Sequence, residues 1–419
     1  MILGIFSTIF KDSENETLII TIPSSGYMIT FGNGSRSVRM MLIKPFRFCL
    51  RMATDPKMGL AESYMYGEWI ADPSPKELLS VLIRAKRESK AKGKGTDKNQ
   101  RSRIISCILI AIRKLAGSLY ERWNRLIHQL RSNTITQSRQ NVEDHYDLSN
   151  EMFKLFLDSS LTYSCALFNE LPVPSEKMNM DTLLNAQMNK CDALLELLNV
   201  KSGEKVLEIG CGWGGLAIKG AEKCDCEWTG LTISQQQYDL AQKRVCEAAE
   251  SRKGTIDIKY LDYRDETGLY DHIVSIEMIE HVGHDYLPEF FNKMAGWLRP
   301  GGNAVLQAII CRDEEYDRYR RSSDFIKKHI FPGGHMPSLC AIREALPECL
   351  QIKNMRPIGQ HYPPTLDIWC NTWINKQHSI LKMGYSDTFH RKWEMYFSLC
   401  SALFENENIN IMQIEIQRT

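Results

Sequence analysis

The spacing of apolar positions changes twice along the chain. Residues 18–22 and 27–31 are rich in β-branched and aromatic side chains, with Pro23-Ser-Ser-Gly26 between them, which predicts a hairpin. Residues 38–43 predict a further strand. Segments 59–69 and 75–87 read as helices, so residues 1–90 form a small α+β domain. From 141 to 419 short apolar runs recur at 206–209, 228–233, 256–261, 273–276 and 303–310, with amphipathic stretches between most of them. Strands alternating with helices predict a mainly parallel sheet covered by helices, an α/β domain. No internal repeat interrupts this order.

Residues 91–140 separate the two patterns as a basic linker and amphipathic helix. Stretch 84–140 holds fifteen Lys/Arg against three acids, a charge asymmetry that the net charge of +1 hides. Residues 86–103 are Lys-, Gly- and Ser-rich and read as disordered. Over 104–130, Ile108, Ile112, Leu115 and Leu119 fall at helical spacing, with Arg113, Lys114, Arg122 and Arg125 among them. A basic amphipathic helix suits an anionic membrane surface. The alternative is a solvated linker followed by a helix packed on its own protein. Nucleic acid is not the expected partner, because no aromatic-studded basic sheet or reader motif accompanies the block.

Composition adds bounds. The chain is 43% apolar and 25% charged, ordinary for a globular protein. No segment reaches the ~18–20 apolar residues of a membrane span. The 13 cysteines show no regular framework, and Cys224-Asp-Cys226 has no matching Cys/His set. They read as reduced thiols in a cytoplasmic protein, with no metal site expected.

Candidate chemistry begins at Lys205-Val-Leu-Glu208-Ile-Gly210-Cys-Gly212-Trp213-Gly214-Gly215. A strand ending on a glycine cluster and feeding a helix lets a ligand approach the backbone at the C-terminal end of a parallel strand. Dinucleotide enzymes place an acid at the end of the next strand to hold a ribose. Here that strand ends in Thr232, Ser234, Gln235 and Gln237, without an acid. These residues suit the ribose hydroxyls or amino-acid part of S-adenosylmethionine (SAM). The third strand ends at Asp262-Tyr263-Arg264, where Asp262 is expected to accept from an adenine amino group and Tyr263 to pack on the ring. Caps and turns are the structural alternative for each polar residue.

Longer motifs are more specific. His145-Tyr-Asp-Leu-Ser-Asn-Glu-Met-Phe153, Leu161-Thr-Tyr163-Ser164-Cys165-Ala-Leu-Phe168, the glycine loop, Glu280-His-Val-Gly283, Phe325-Ile-Lys-Lys-His-Ile-Phe-Pro-Gly-Gly334 and the run from Trp393 to Phe404 resemble the cyclopropane-fatty-acyl-phospholipid synthase and mycolic acid cyclopropane synthase family. The likeness spans 141–419, and Gly59-Leu-Ala-Glu-Ser-Tyr64 and Gly67-Glu-Trp69 extend it into the small N-terminal domain. Gln307 and the run from Arg320 to Lys327 look closer to eukaryotic members.

The resemblance implies a class I SAM-methyltransferase, Rossmann-like, with Tyr163 and Ser164 added to the SAM set. It implies transfer of a methylene from SAM to the cis double bond of an unsaturated phospholipid acyl chain, through a carbocation, by a membrane-associated enzyme that pairs as a homodimer. It also implies a bound bicarbonate as base, held by Cys165, Glu280, Gln307, Ile309 and Tyr396. The cation needs an apolar, water-free pocket, for which Phe153, Phe156, Phe168, Tyr286, Phe331, Trp369 and Trp373 are candidates. Gln307 stands where many bacterial members carry histidine, which leaves open a methylated chain without ring closure. N-methylation of a small amine or phosphoethanolamine is a further alternative, as is lipid binding without catalysis.

Overall fold

The computed structural model describes residues 2–11, 13–92 and 149–419. The basic helix expected over 104–130, the rest of segment 93–140 and the start of the His145 motif lie outside the described residues. The described residues fall into two compact units.

One unit gathers the described residues up to Lys92 with Ser322–His329 and Trp373–Asn406. Its sheet has the order β2-β1-β3-β4, built from β1 (Glu16–Ile22), β2 (Tyr27–Phe31), β3 (Arg36–Leu42) and β4 (Trp69–Asp72). The expected hairpin forms, with Ile22 opposite Tyr27 and Leu18 opposite Phe31. On β3, Val38, Met40 and Leu42 are buried, so alternate side chains face the core. Helix Pro75–Lys92 packs on this sheet and on helix Asp387–Glu405.

Buried carboxylates in this unit are paired, as burial of charge requires. Arg84 reaches Glu16 with two nitrogens, at 2.6 and 3.2 Å. Glu62 Oε1 accepts from Lys328 Nζ at 2.8 Å and from His329 Nε2 at 3.0 Å. Trp373, Trp393, Tyr396 and Phe397 form a buried aromatic group.

The second unit carries a seven-stranded sheet of order β10-β11-β9-β8-β5-β6-β7. Strands β5 (Lys205–Ile209), β6 (Glu227–Thr232), β7 (Thr255–Tyr260), β8 (Tyr270–Ile276) and β9 (Leu298–Cys311) correspond to the five expected apolar runs and pair in parallel. Two more, β10 (Leu350–Pro357) and β11 (Ile409–Arg418), join antiparallel beyond β9. The result is a mostly parallel α/β sheet, as the resemblance implies. Strand β10 was not legible because it lies at an edge and buries little beyond Leu350.

Helices cover both faces, and neighbouring residues of one strand serve opposite cores. Leu207, Ile273 and Leu306 pack with Phe290, Phe291 and Met294 on one face. Val206, Val274 and Val305 pack with Leu194, Leu198 and Trp228 on the other. Helix Gly215–Lys223 lies close to β6 because Gly220 has no side chain. A Cβ there would stand 2.4 Å from the Trp228 ring. No helix among the described residues is long and apolar enough to cross a membrane.

Candidate active site

The glycine loop follows β5 at its C-terminal end. Gly210, Gly212 and Gly214 have φ of 81°, 54° and 78°, in the left-handed region that disfavours residues with a Cβ. At Gly210 an added Cβ would also stand 2.8 Å from Met278 Cγ. The N–H groups of Gly210 and Cys211 both donate to Leu231 O, which ties the loop to the end of β6.

Residues from 149 to 168 pack over this loop. Trp213 Nε1 donates to Asn150 Oδ1 at 2.7 Å, and its ring centroid lies 5.1 Å from that of Phe153. Arg244 donates to the carbonyls of Trp213 and Ser160, at 2.7 and 2.9 Å. Gln187 Nε2 donates to Ser164 O at 2.9 Å. Two distant motifs thereby form the walls of one pocket.

Tyr163, Ser164, Glu208, Gly210, Gly212, Trp213, Thr232, Gln237, Asp262, Tyr263 and Arg264 all line that pocket. Gly214, Ser234 and Gln235 are not among its lining residues. Gly214 and Ser234 are the N-caps of helices Gly215–Lys223 and Gln235–Glu247. The Gln235 amide turns to Asp239. Asp262 is engaged by its neighbour, accepting from Arg264 N, Nε and Nη2 at 3.0, 2.9 and 2.7 Å. Glu208 Oε2 accepts from Trp228 Nε1 at 2.9 Å, and burial pushes this carboxyl up to about 8.

Several lining residues escaped sequence reasoning. Lys190 is fully buried on helix Met180–Leu198, and its Nζ donates to Ser164 Oγ at 2.7 Å. His281 lines the pocket, and burial holds its ring to about 4, so it is neutral at pH 7. Glu277 lines the pocket immediately after β8.

Cys165, Glu280, Gln307 and Ile309 come together around Glu277. Cys165 N–H and Gln307 Nε2 each donate to Glu277 Oε1 at 2.9 Å, and Tyr362 Oη donates to Oε2 at 2.9 Å. Ile309 N–H donates to Glu280 Oε1. Burial raises both carboxyls, and burial together with the neighbouring Glu277 pushes Glu280 up to about 8. Three of the donors expected to hold a bicarbonate, Cys165 N–H, Gln307 Nε2 and Ile309 N–H, therefore already point at two protein carboxyls. An anion seeking the same donors would have to displace these two side chains. The residues present do not fit a bound bicarbonate. Tyr396 falls in the first unit, against Trp393 and Phe397.

Four of the aromatic candidates gather around pocket-lining Tyr163. Its ring centroid lies 5.5 Å from Phe153, 5.9 Å from Phe156, 5.4 Å from Trp369 and 6.5 Å from Phe331. Phe168 instead stacks on His361, and Tyr286 packs against the sheet core. Trp373 belongs to the first unit.

Comparison with known proteins places this geometry. The family model described as mycolic acid cyclopropane synthetase matches residues 133–414. This chain belongs to that family. A tuberculostearic acid methyltransferase of Mycobacterium tuberculosis is 34% identical, over 90% of this chain and 83% of its own length. The cyclopropane-fatty-acyl-phospholipid synthase of Escherichia coli is 30% identical, over 92% of this chain and 89% of its own. A mycolic acid cyclopropane synthase solved with S-adenosylhomocysteine (SAH) and CTAB is 29% identical, over 67% of this chain and 98% of that chain, with a TM-score of 0.59.

As a cyclopropane-synthetase family member, the protein is a SAM-dependent, lipid-modifying methyltransferase. Its pocket fits the donor. Left-handed glycines at Gly210 and Gly212 open the backbone side, and Asp262 with Arg264 supplies a fixed polar edge. Met278, Val282 and Leu261 add apolar wall.

Proposed function

We propose that the protein transfers a methyl group from SAM to a carbon of the cis double bond in an unsaturated phospholipid acyl chain, and that the new carbon closes a cyclopropane ring. The observation that carries this reading is a half-buried, fixed carboxylate, Glu277, in the wall of the pocket lined by the glycine loop. Alkylating a carbon–carbon double bond leaves a cation, and only loss of a proton to a nearby acceptor turns it into a stable hydrocarbon.

SAM, when bound, supplies an electrophilic methyl group. In this reading Gly210, Gly212, Trp213 and Glu208 hold its amino-acid side, Thr232 and Gln237 its ribose, and Asp262, Tyr263 and Arg264 its adenine. The aromatic group around Tyr163 excludes water that would trap the cation as an alcohol, and its ring faces stabilise positive charge. Neutral His281 adds no competing positive charge.

A second product is favoured by one finding, the 34% identity to a tuberculostearic acid methyltransferase. The same cation then ends as a methylated chain without a ring. One experiment tests both. Purified protein, SAM and dioleoyl-phospholipid vesicles are incubated, and the acyl chains are analysed by mass and proton NMR. Chains heavier by one CH₂ with ring protons establish cyclopropanation. The same mass with vinylidene protons establishes the branched product. Unchanged chains overturn the reading.

The substrate sits in a bilayer, so we also propose peripheral association with anionic membranes through the basic stretch 84–140. Sedimentation with anionic vesicles that weakens as salt rises is the expected result. Salt-independent or absent sedimentation overturns it.

A further inference from the structure

We propose that the Glu277 carboxylate is the proton acceptor of the reaction, an internal base in the position that a bound bicarbonate would need. The inference rests on the acyl methyl-transfer reading above.

Glu277 is built into place from four directions. Its backbone has φ 49°, uncommon for a residue with a side chain. Its N–H donates to Gln307 O at 2.7 Å. Its side chain takes Cys165 N–H and Gln307 Nε2 on Oε1 and the Tyr362 hydroxyl on Oε2. The Gln307 amide cannot turn away, because its Oε1 accepts from Gln413 Nε2 at 3.0 Å. Backbone strain held by so many partners is a mark of functional positions.

A carboxylate offers about four lone-pair sites on its two oxygens. Among the described residues three are taken, and the fourth is on Oε2. That vacancy is the place for a proton. Glu280 is the neighbouring carboxyl, but it is buried and does not line the pocket, whereas half-buried Glu277 does. Lys190 stands in the same pocket wall, and its charge favours the ionised form of Glu277.

The step balances. The π pair of the alkene forms a carbon–carbon bond to the methyl group as the methyl–sulfur bond breaks toward sulfur, leaving SAH and a cation on the other alkene carbon. A C–H pair of the new methyl group then closes on the cation, and its proton passes to Glu277 Oε2. Net products are SAH, the cyclopropane and one proton, released to water when the site opens. The branched product differs only by a hydride shift before the same proton loss.

The test has two readouts. First, the SAH-bound protein is titrated with ¹³C-bicarbonate and followed by NMR. Wild type should show no site-specific shift, while Glu277→Gly should show one. Glycine suits φ 49°, so this variant removes the carboxylate without imposing strain. Second, turnover on dioleoyl-phospholipid vesicles is measured in bicarbonate-depleted buffer. Wild type should be unaffected. Glu277→Gly should lose about 100-fold or more in kcat, the scale of a general base, with SAM affinity held, and should recover in part when bicarbonate is added. Bicarbonate binding by wild type, or wild-type turnover that falls on depletion, overturns the proposal. If the titration behaves as expected but wild type leaves the lipid unchanged, the acyl reading fails while Glu277 keeps its place in the anion position.

Discussion

Gln307 and Glu277 are bonded to each other twice: Gln307 Nε2 donates to Glu277 Oε1 at 2.9 Å, and Glu277 N–H donates to Gln307 O at 2.7 Å. The pair joins the C-terminal ends of two parallel strands, since Ile276 of β8 lies opposite Gln307 of β9. A buried neutral amide is thus the donor to a half-buried acid, and its orientation is set from behind by Gln413.

Replacing Gln307 by Leu removes that donor and strands the Gln413 amide. Losing one partner of a buried hydrogen bond costs about 1–3 kcal/mol, so the urea midpoint should fall. The effect on activity has a definite sign. A base works ionised, and the lost donor favoured the ionised form. The acid limb of the kcat–pH profile should therefore move to higher pH. A variant with lower stability but an unmoved limb would show that Gln307 is structural only.

Much of this site was readable in the chain, for reasons that differ by residue. The glycine loop and the polar strand ends are local patterns, and a parallel sheet follows from strand–helix alternation. Glu277 was missed because it lies three residues before Glu280, in a segment where both acids look alike. Only the register of β8 on β9 and the approach of Cys165 distinguish them. Lys190 belongs to no motif, yet it is buried against Ser164. Ser234 and Gln235 matched the cofactor pattern in composition, but one is spent on a helix cap and the other on Asp239.

Glu280 makes a pH prediction for stability. Its carboxyl is raised from 4.5 to about 8, first by burial and then by Glu277. A raised acid binds more protons folded than unfolded between these values. Its contribution is complete below 4.5 and is lost as pH rises toward about 8. Glu280→Gln is neutral at every pH. Relative to wild type, it should gain stability at pH 8 and little at pH 5, as read from urea midpoints. Parallel curves at both pH values would contradict the shift.

Glu62 carries the opposite sign. Burial alone would raise its carboxyl, but hydrogen bonds from His329 and Lys328 outweigh that and hold it at about 2. A depressed acid stabilises the fold fully above 4.5 and loses that contribution as pH falls toward about 2. Glu62→Gln should reduce stability at pH 6 and flatten the loss on acidification. The partners lie more than 260 residues apart in the chain, which is why no local pattern announced them.

Gly220 separates helix propensity from packing. Alanine is better than glycine in a helix by about 1 kcal/mol. Here its Cβ would stand 2.4 Å from the Trp228 ring, which is itself buried and bonded to Glu208. Overpacking of this kind costs about 1–3 kcal/mol. Gly220→Ala should therefore lower the melting temperature despite the propensity gain. An unchanged or raised value would mean that the Trp228 ring can move.

Asp262 and Arg264 test the donor pocket apart from the chemistry. Three nitrogens of Arg264, one of them backbone, converge on the Asp262 carboxylate, and both residues line the pocket. Asp262→Asn keeps the shape but removes the carboxylate charge that faces the buried guanidinium. The polar edge that meets the adenine then loses its fixed orientation. SAM affinity should fall about 10-fold, equivalent to about 1.4 kcal/mol, measured by calorimetry. The KM for vesicle lipid should stay constant, because this edge follows β7, which β5 and β6 separate from β8 in the sheet. Loss of lipid affinity with SAM binding intact would move Asp262 out of the cofactor set.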